Sequence, residues 1–156
     1  MTPALDKALP EFEALATGGV KFSPQAYAGK IVVLYFYPKA FTSGCTVEAH
    51  QFAEATPKFN ALGATVVGMS NDDIDTLKKF SVEACRDKFA VAADSGGRVM
   101  KQYDAALAMA PNIADRVSYV ISPQGKVLYV YSSLSPDRHV ENTMKAVEQW
   151  KRGEQR

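Results

Sequence analysis

The sequence has few cysteines and few histidines, and this limits the chemistry that it can carry. Its 156 residues include two cysteines, Cys45 and Cys85, and two histidines, His50 and His139. Two cysteines cannot form the disulfide framework of a small secreted domain. No group of cysteine, histidine and carboxylate residues has the spacing of a metal site. We therefore expect a chain that folds around a hydrophobic core and uses no metal or other cofactor.

An excess of charge and a long apolar segment are also missing. Lysine and arginine number 18 and aspartate and glutamate 17, so the net charge is +1. Such a balance gives no reason to expect nucleic acid or an anionic membrane as a partner. The longest apolar run, from Ile31 to Tyr37, is too short to cross a bilayer.

The first residues include acids and no apolar segment of the kind that signal peptides have. We expect a cytoplasmic protein, although a periplasmic protein whose signal peptide had been removed would look the same.

Three common motifs are absent as well. The sequence contains no glycine-rich dinucleotide fingerprint, no phosphate-binding P-loop and no CxxC pair. The first two absences argue against nucleotide cofactors. The third argues against an ordinary dithiol oxidoreductase of the thioredoxin type.

The most informative stretch runs from Ile31 to Glu48 and reads IVVLYFYPKAFTSGCTVE. None of its first seven residues is charged, and all except Leu34 are β-branched or aromatic. This composition is typical of a strand buried on both faces. Cys45 then stands where a helix is predicted to begin. The unpaired N–H groups and the positive dipole end of a helix favour a thiolate over a thiol.

The pattern of the whole chain predicts a single α/β domain over residues 1–156. Residues 1–29 are expected to be irregular, and Pro57 is expected to kink or divide the first helix. Gly63 is predicted to end that helix, and Asn71 or Asp72 to cap the next. The predicted strands are 30–37, 64–70, 89–92, 116–122 and 126–132, and the predicted helices are 45–62, 71–86 and one that begins at 135–136. Helical crossovers followed by a hairpin predict a mixed sheet with helices on both faces, as in the thioredoxin-like fold.

The neighbours of Cys45 distinguish it from a buried structural cysteine, which in isolation would be an equally good interpretation. Pro38 lacks an N–H group and can shield one side of a pocket from water. The Thr42 hydroxyl can donate to a bound oxygen and contact the sulfur. Gly44 lets backbone N–H groups approach a small substrate that carries oxygen.

The spacing Pro38-x-x-x-Thr42-x-x-Cys45 matches the active-site motif of the peroxiredoxins. The longer segment YFYPKAFTSGCTVEA resembles their bacterioferritin-comigratory-protein, or peroxiredoxin Q, branch, and the similarity extends from residue 9 to the last helix. The resemblance implies a peroxidase that reduces hydrogen peroxide and organic hydroperoxides. It implies that Cys45 attacks the peroxide, that Pro38 and Thr42 form its pocket, and that Gly44 helps to hold the substrate.

The resemblance also assigns roles to two charged residues. The family keeps an arginine at the start of the strand that follows the loop at 105–114, and Arg116 matches that position. A guanidinium there would contact both the thiolate and a peroxide oxygen, although an arginine at a strand end is often only solvated. Glu48 lies one helical turn beyond Cys45 and is interpreted either as a surface charge or as a residue that orients the arginine.

The second cysteine leaves alternatives open. Many relatives have a resolving cysteine five residues after the reactive one, but His50 stands at that position. Other relatives have it on the second helix near Ser81, and Cys85 lies one turn further along. Cys85 is therefore a candidate resolving cysteine that forms an intramolecular disulfide, which thioredoxin or a glutaredoxin-type donor would reduce. The alternatives are a one-cysteine peroxidase that uses an external thiol and a peroxide sensor that passes oxidation to a partner. The branch implies a monomer.

Overall fold

The computed structural model describes residues 14–16, 20–22, 30–37, 43–83, 90–94, 116–123, 127–133 and 138–154. Ten helices and strands lie in these ranges. The strands are β1 (Ala14–Ala16), β2 (Val20–Phe22), β3 (Ile31–Phe36), β4 (Ala64–Ser70), β5 (Ala90–Ala93), β6 (Val117–Ile121) and β7 (Val127–Ser132). The helices are α1 (Ser43–Ala61), α2 (Ile74–Glu83) and α3 (His139–Glu154).

The seven described strands form one mixed sheet in the order β2-β1-β5-β4-β3-β6-β7. β3, β4 and β5 pair in parallel, and β6 runs antiparallel to β3 on its other side. β6 and β7 form the predicted hairpin, which has an irregular register between Val120 and Ile121. The arrangement confirms the prediction of a mixed sheet in a thioredoxin-like fold.

The expectation of an irregular beginning is wrong for residues 14–16 and 20–22. β1 and β2 pair antiparallel, and β1 also pairs with β5 through Ala16 and Ala92. Each of these strands has three residues. Such short strands leave too few positions for an alternating pattern to be recognised in the sequence.

α1 runs unbroken for 19 residues through Pro57. The prediction that this proline divides the helix is therefore wrong. Pro57 itself lies on the exposed side of α1, so its ring does not disturb the buried face of the helix. The helix ends as predicted at Gly63, which has a φ of 80° and donates its N–H to the Asn60 carbonyl at 3.0 Å.

α2 is capped by Asp73, and not by Asn71 or Asp72 as the sequence suggested. The Asp73 carboxylate accepts the N–H of Thr76 at 2.7 Å, three residues into the helix. The hydrogen bonds from the backbone and the side chain of Thr76 lower the pKa of Asp73. Asp72 instead accepts a hydrogen bond from the Ser70 hydroxyl at 2.7 Å, so its side chain is engaged with the end of β4.

Aromatic rings join the sheet to the helices. Tyr35 stacks on Phe52 of α1 with ring centroids 4.4 Å apart, and Tyr37 packs on Phe80 of α2 at 5.6 Å. Both tyrosines are fully buried, as are the residues of β3 that face the opposite side of the sheet. A Cβ atom at Gly68 would lie 2.9 Å from the Tyr35 ring, so that ring occupies space that only glycine leaves open.

The last helix buries one face, on which apolar residues recur at helical spacing. Met144 and Val147 lie in the same hydrophobic core as Tyr35, and Val140 and Trp150 pack against its edge. α1, α2 and α3 thus share one core on one face of the sheet, so the described helices cover one of the two faces on which the sequence predicted helices. None of these described helices is both long enough and apolar enough to span a membrane.

Candidate active site

Cys45 lies in the first turn of α1, just beyond the carboxyl end of the central strand β3. Its thiol is free and the residue is only 1% exposed. The first N–H groups of a helix have no partner within the helix and carry its partial positive charge. The sulfur is therefore placed where a negative charge is stabilised and water is largely excluded.

Arg116 reaches Cys45 because of the register of the sheet. It precedes β6, whose first residue, Val117, pairs with Phe36 at the end of β3. The start of one antiparallel strand thus lies beside the end of the other. The Nη2 group of Arg116 is 3.4 Å from Cys45 Sγ and donates to it. Arg116 is only 5% exposed, so water screens its charge weakly.

Glu48 binds the guanidinium nitrogen of Arg116 that does not contact Cys45. Arg116 Nη1 donates to Glu48 Oε1 at 2.8 Å, and the glutamate is fully buried. Burial raises the pKa of Glu48 to about 8, although the charge of Arg116 and its hydrogen bond pull in the opposite direction. For Arg116, burial lowers the pKa, but the charges of Glu48 and Cys45 outweigh burial and the net shift is upward. The guanidinium therefore stays charged beside the thiol.

On the side away from Arg116, Glu48 faces the buried side chain of His139. The Nδ1 atom of His139 is 2.8 Å from the Ser118 hydroxyl and 3.5 Å from Glu48 Oε2. Its Nε2 atom is 2.8 Å from the Ser133 carbonyl. His139 is fully buried, and its ring meets the edge of Tyr131 at a centroid distance of 4.7 Å. The site therefore continues inward from the sulfur through an arginine and a glutamate to an imidazole.

The family model described as the AhpC/TSA family matches residues 5–130. The crystal structure of the peroxidoxin BcpB from Mycobacterium tuberculosis superposes with a TM-score of 0.84 at 30% identity, covering 93% of this chain and 96% of that one. The chain belongs to the peroxiredoxins of the AhpC/TSA family.

Plant relatives place this peroxiredoxin in the Q branch. It is 33% identical over 140 residues to the chloroplastic peroxiredoxin Q of Triticum aestivum, covering 89% of this chain and 64% of that protein. It is 32% identical over 143 residues to that of Populus jackii, covering 91% and 67%. The chain thus spans about two thirds of the length of these curated relatives. The predicted resemblance and the fold that it implied are confirmed.

The structure brings together only some of the residues that the sequence suggested. Cys45 and Arg116 are in contact, and the backbone of Gly44 lies in the first turn of α1. Three suggested residues, Pro38, Thr42 and Cys85, lie outside the described residues.

Of the two interpretations of Glu48, the surface charge is wrong, because the residue is fully buried. Its hydrogen bond with Arg116 agrees with the other interpretation, in which it orients the arginine. His139 was not expected in the site of this peroxiredoxin at all. Its one signal in the sequence is its spacing, since it lies one and two helical turns before Thr143 and Val147, which are also buried.

Proposed function

We propose that this peroxiredoxin is a thiol-dependent peroxidase that reduces hydrogen peroxide and organic hydroperoxides at Cys45. The observation that carries the proposal is the 3.4 Å contact between Arg116 Nη2 and Cys45 Sγ, made in a buried site at a helix N-terminus. A thiolate is the nucleophilic form of cysteine, and both features favour it. Membership of the peroxiredoxin family suggests that this thiolate reduces peroxides.

In the proposed reaction the Cys45 thiolate attacks the terminal oxygen of a hydroperoxide. An S–O bond forms as the O–O bond breaks, so the sulfur is oxidised to sulfenic acid while the peroxide is reduced. The leaving alkoxide or hydroxide takes up a proton and departs as an alcohol or water. Arg116 and the N–H groups of Gly44 and Cys45 would stabilise the charge on the leaving oxygen.

The motif residues outside the described ranges complete the proposed pocket. The Thr42 hydroxyl would donate to the peroxide oxygen and orient it towards the sulfur. Pro38 would limit the access of water. The motif and the family support these two roles.

We further propose that Cys85 resolves the sulfenic acid. Its thiol would displace the hydroxyl of the sulfenic acid, forming a Cys45–Cys85 disulfide and releasing water. Two thiols of a thioredoxin or glutaredoxin-type donor would then reduce the disulfide and become oxidised themselves. Because Cys45 is almost fully buried, we propose that the first turn of α1 unwinds to let the two sulfurs approach to bonding distance. Faster amide hydrogen exchange at residues 43–48 in the oxidised protein is the expected sign.

Steady-state peroxide consumption with thioredoxin, thioredoxin reductase and NADPH tests the function. We expect turnover in the natural chain and none in the Cys45→Ser variant. The Cys85→Ser variant should reduce one equivalent of peroxide and then stop. If it cycles normally with thioredoxin, Cys85 is not the resolving residue. If the natural chain also stops after one equivalent with thioredoxin, with a glutaredoxin-type donor and with small external thiols, the protein is a sensor rather than a cycling enzyme.

Non-reducing mass spectrometry of the peroxide-treated chain identifies the cycle directly. An intramolecular Cys45–Cys85 link supports the proposal, whereas a linked dimer or an unlinked oxidised Cys45 would replace it with another cycle. We also propose that the protein acts as a monomer in the cytoplasm. Light scattering of the reduced protein tests its oligomeric state, and cell fractionation tests its compartment.

A further inference from the structure

Glu48 and His139 form a buried pair whose arrangement suits a shared proton. Glu48 Oε1 already accepts a hydrogen bond from Arg116. Glu48 Oε2 has no hydrogen-bond partner among the described residues, and it faces His139 Nδ1 at 3.5 Å. A buried carboxyl oxygen without a partner is costly, so its position beside a basic nitrogen requires an explanation.

The hydrogen bonds of His139 determine which of its nitrogens can receive that proton. Nε2 faces the carbonyl oxygen of Ser133 at 2.8 Å, and a carbonyl can only accept, so Nε2 carries a hydrogen. In the neutral ring Nδ1 is then the acceptor. It lies 2.8 Å from the Ser118 hydroxyl and 3.5 Å from Glu48 Oε2. A small movement of the ring would exchange the first partner for the second.

We propose that His139 is a positioning residue that holds one proton in common with Glu48, between Nδ1 and Oε2, and so keeps the charge of Arg116 available to Cys45. When the proton lies on Glu48, a neutral carboxyl group binds Arg116. When it lies on His139, the positive imidazolium balances the negative Glu48 carboxylate. In both cases the cluster has a net positive charge next to the sulfur. Without the proton, the Glu48 carboxylate cancels the charge of Arg116 and the thiolate loses its counterion.

The burial of the site supports the inference. Among the described residues, the ionisable groups around the pair are Cys45 and Glu48 from α1, Arg116 before β6, Tyr131 from β7 and His139 from α3. Glu48 and His139 are fully buried, and Arg116 is 5% exposed. A unit change in charge acts strongly over such short distances when water is excluded. Burial already raises the pKa of Glu48 to about 8, so the contribution of His139 is to keep the proton in place above that pH.

The inference rests on the proposed role of Cys45 as the reactive thiol, but its test needs no peroxide. The rate of Cys45 alkylation by iodoacetamide measures the thiolate directly and can be followed as a function of pH. Trypsin separates Cys45, in residues 40–58, from Cys85, in residues 80–86, so mass spectrometry reports each thiol independently. A failure of the proposed peroxidase activity would leave this measurement intact.

The decisive comparison uses His139→Phe, alone and in a Glu48→Gln background. The phenylalanine keeps the ring but removes both nitrogens. At about pH 8.5, above the value of about 8 to which burial raises the pKa of Glu48, we expect Cys45 alkylation to slow by about threefold to tenfold in His139→Phe. In the Glu48→Gln background the same substitution should have no effect on the rate, because a neutral amide cannot cancel Arg116. His50→Phe, which changes the other histidine, should react like the natural chain.

Two outcomes would overturn the proposal. One is an unchanged alkylation profile in His139→Phe. The other is an equal loss of rate in the natural and the Glu48→Gln backgrounds, which would show that His139 only supports the fold. If His139→Phe does not fold, Ser118→Ala decides the question. Removing the competing hydroxyl should leave Nδ1 to Glu48, so the alkylation rate should equal or exceed that of the natural chain, and a threefold fall would refute the shared proton.

Discussion

Both halves of α1 bury side chains completely, but different forces hold these side chains in place. In the second half Phe52 stacks on Tyr35 and lies 6.2 Å from Phe59, and none of these side chains is exposed. In the first half Cys45 and Glu48 are just as inaccessible. The aromatic rings gain from burial itself, through removal of apolar surface and dispersion contacts. The thiol and the carboxyl group lose solvation and depend on partners that come from β6 and α3.

This difference means that the same operation, deletion of one side chain, should have different consequences in the two halves. In the aromatic half it should cost stability and leave the chemistry of the folded molecules unchanged. In the polar half it should change the reactivity of Cys45 and the response to pH. The predictions below test this separation, beginning with the largest effect.

Phe52→Ala should give the largest loss of stability. It leaves a cavity between Tyr35 and α1, and such truncations typically cost about 3–5 kcal/mol. Urea unfolding should measure this loss, while the alkylation rate of Cys45 in the folded fraction should stay within about twofold of the natural value. Val47→Ala, at a site on the same helix that is 45% exposed, is the matched control and should change stability by less than about 0.5 kcal/mol. A large fall in alkylation for Phe52→Ala would show that the two halves are not separate.

Arg116→Ala should produce the opposite result, with a larger effect on reactivity than on stability. It removes the positive charge 3.4 Å from the sulfur, and losing one such donor commonly lowers a rate by about 10²-fold. The loss of stability should be only about 1–3 kcal/mol at neutral pH, because Glu48 can take up a proton instead of remaining as an unpaired buried charge. Stopped-flow measurement of Cys45 oxidation and urea unfolding check the two effects. Arg152→Ala, exposed near the end of α3, should change neither.

Glu48 should make the stability of the fold depend on pH. Its pKa is about 8 in the folded protein against an ordinary value of 4.5. Between these values the folded state keeps a proton that the unfolded state has released, so this contribution to stability is complete below about pH 4.5 and is lost as the pH rises towards 8. From about pH 5 to pH 8 we expect the natural chain to lose about 1–2 kcal/mol more than Glu48→Gln in urea unfolding. Glu141→Gln, at an exposed position of α3, should follow the natural chain, and parallel curves for Glu48→Gln and the natural chain would refute the assignment.

The same contrast explains which parts of the molecule could be predicted from the sequence. Apolar runs and helical spacing have a regular period, and they predicted β3, β4, the β6–β7 hairpin and the presence of α2 and α3. The contact between Cys45 and Arg116 was expected only from the family resemblance. Hydrogen bonds between His139 and Ser118 leave no periodic signal, because the two residues lie 21 positions apart on different elements. Such networks depend on the register of the finished sheet.

The start of α2 gives the smallest and most local test, because it is a helix N-terminus without buried chemistry. There Asp73 accepts the N–H of Thr76 at the surface, whereas the first turn of α1 presents Cys45 to a closed site. Asp73→Ala should lower the urea midpoint slightly at neutral pH, since capping carboxylates stabilise their helix. Because these hydrogen bonds lower the pKa of Asp73, the stabilisation is present above its ordinary value of 3.8 and is lost as the pH falls through the lower value. The difference from the natural chain should therefore disappear in strong acid, and Asn71→Ala, the cap that the sequence suggested, should not reproduce it. The alkylation rate of Cys45 should be unaffected, and a change in that rate would show that the two helix starts are coupled through the sheet.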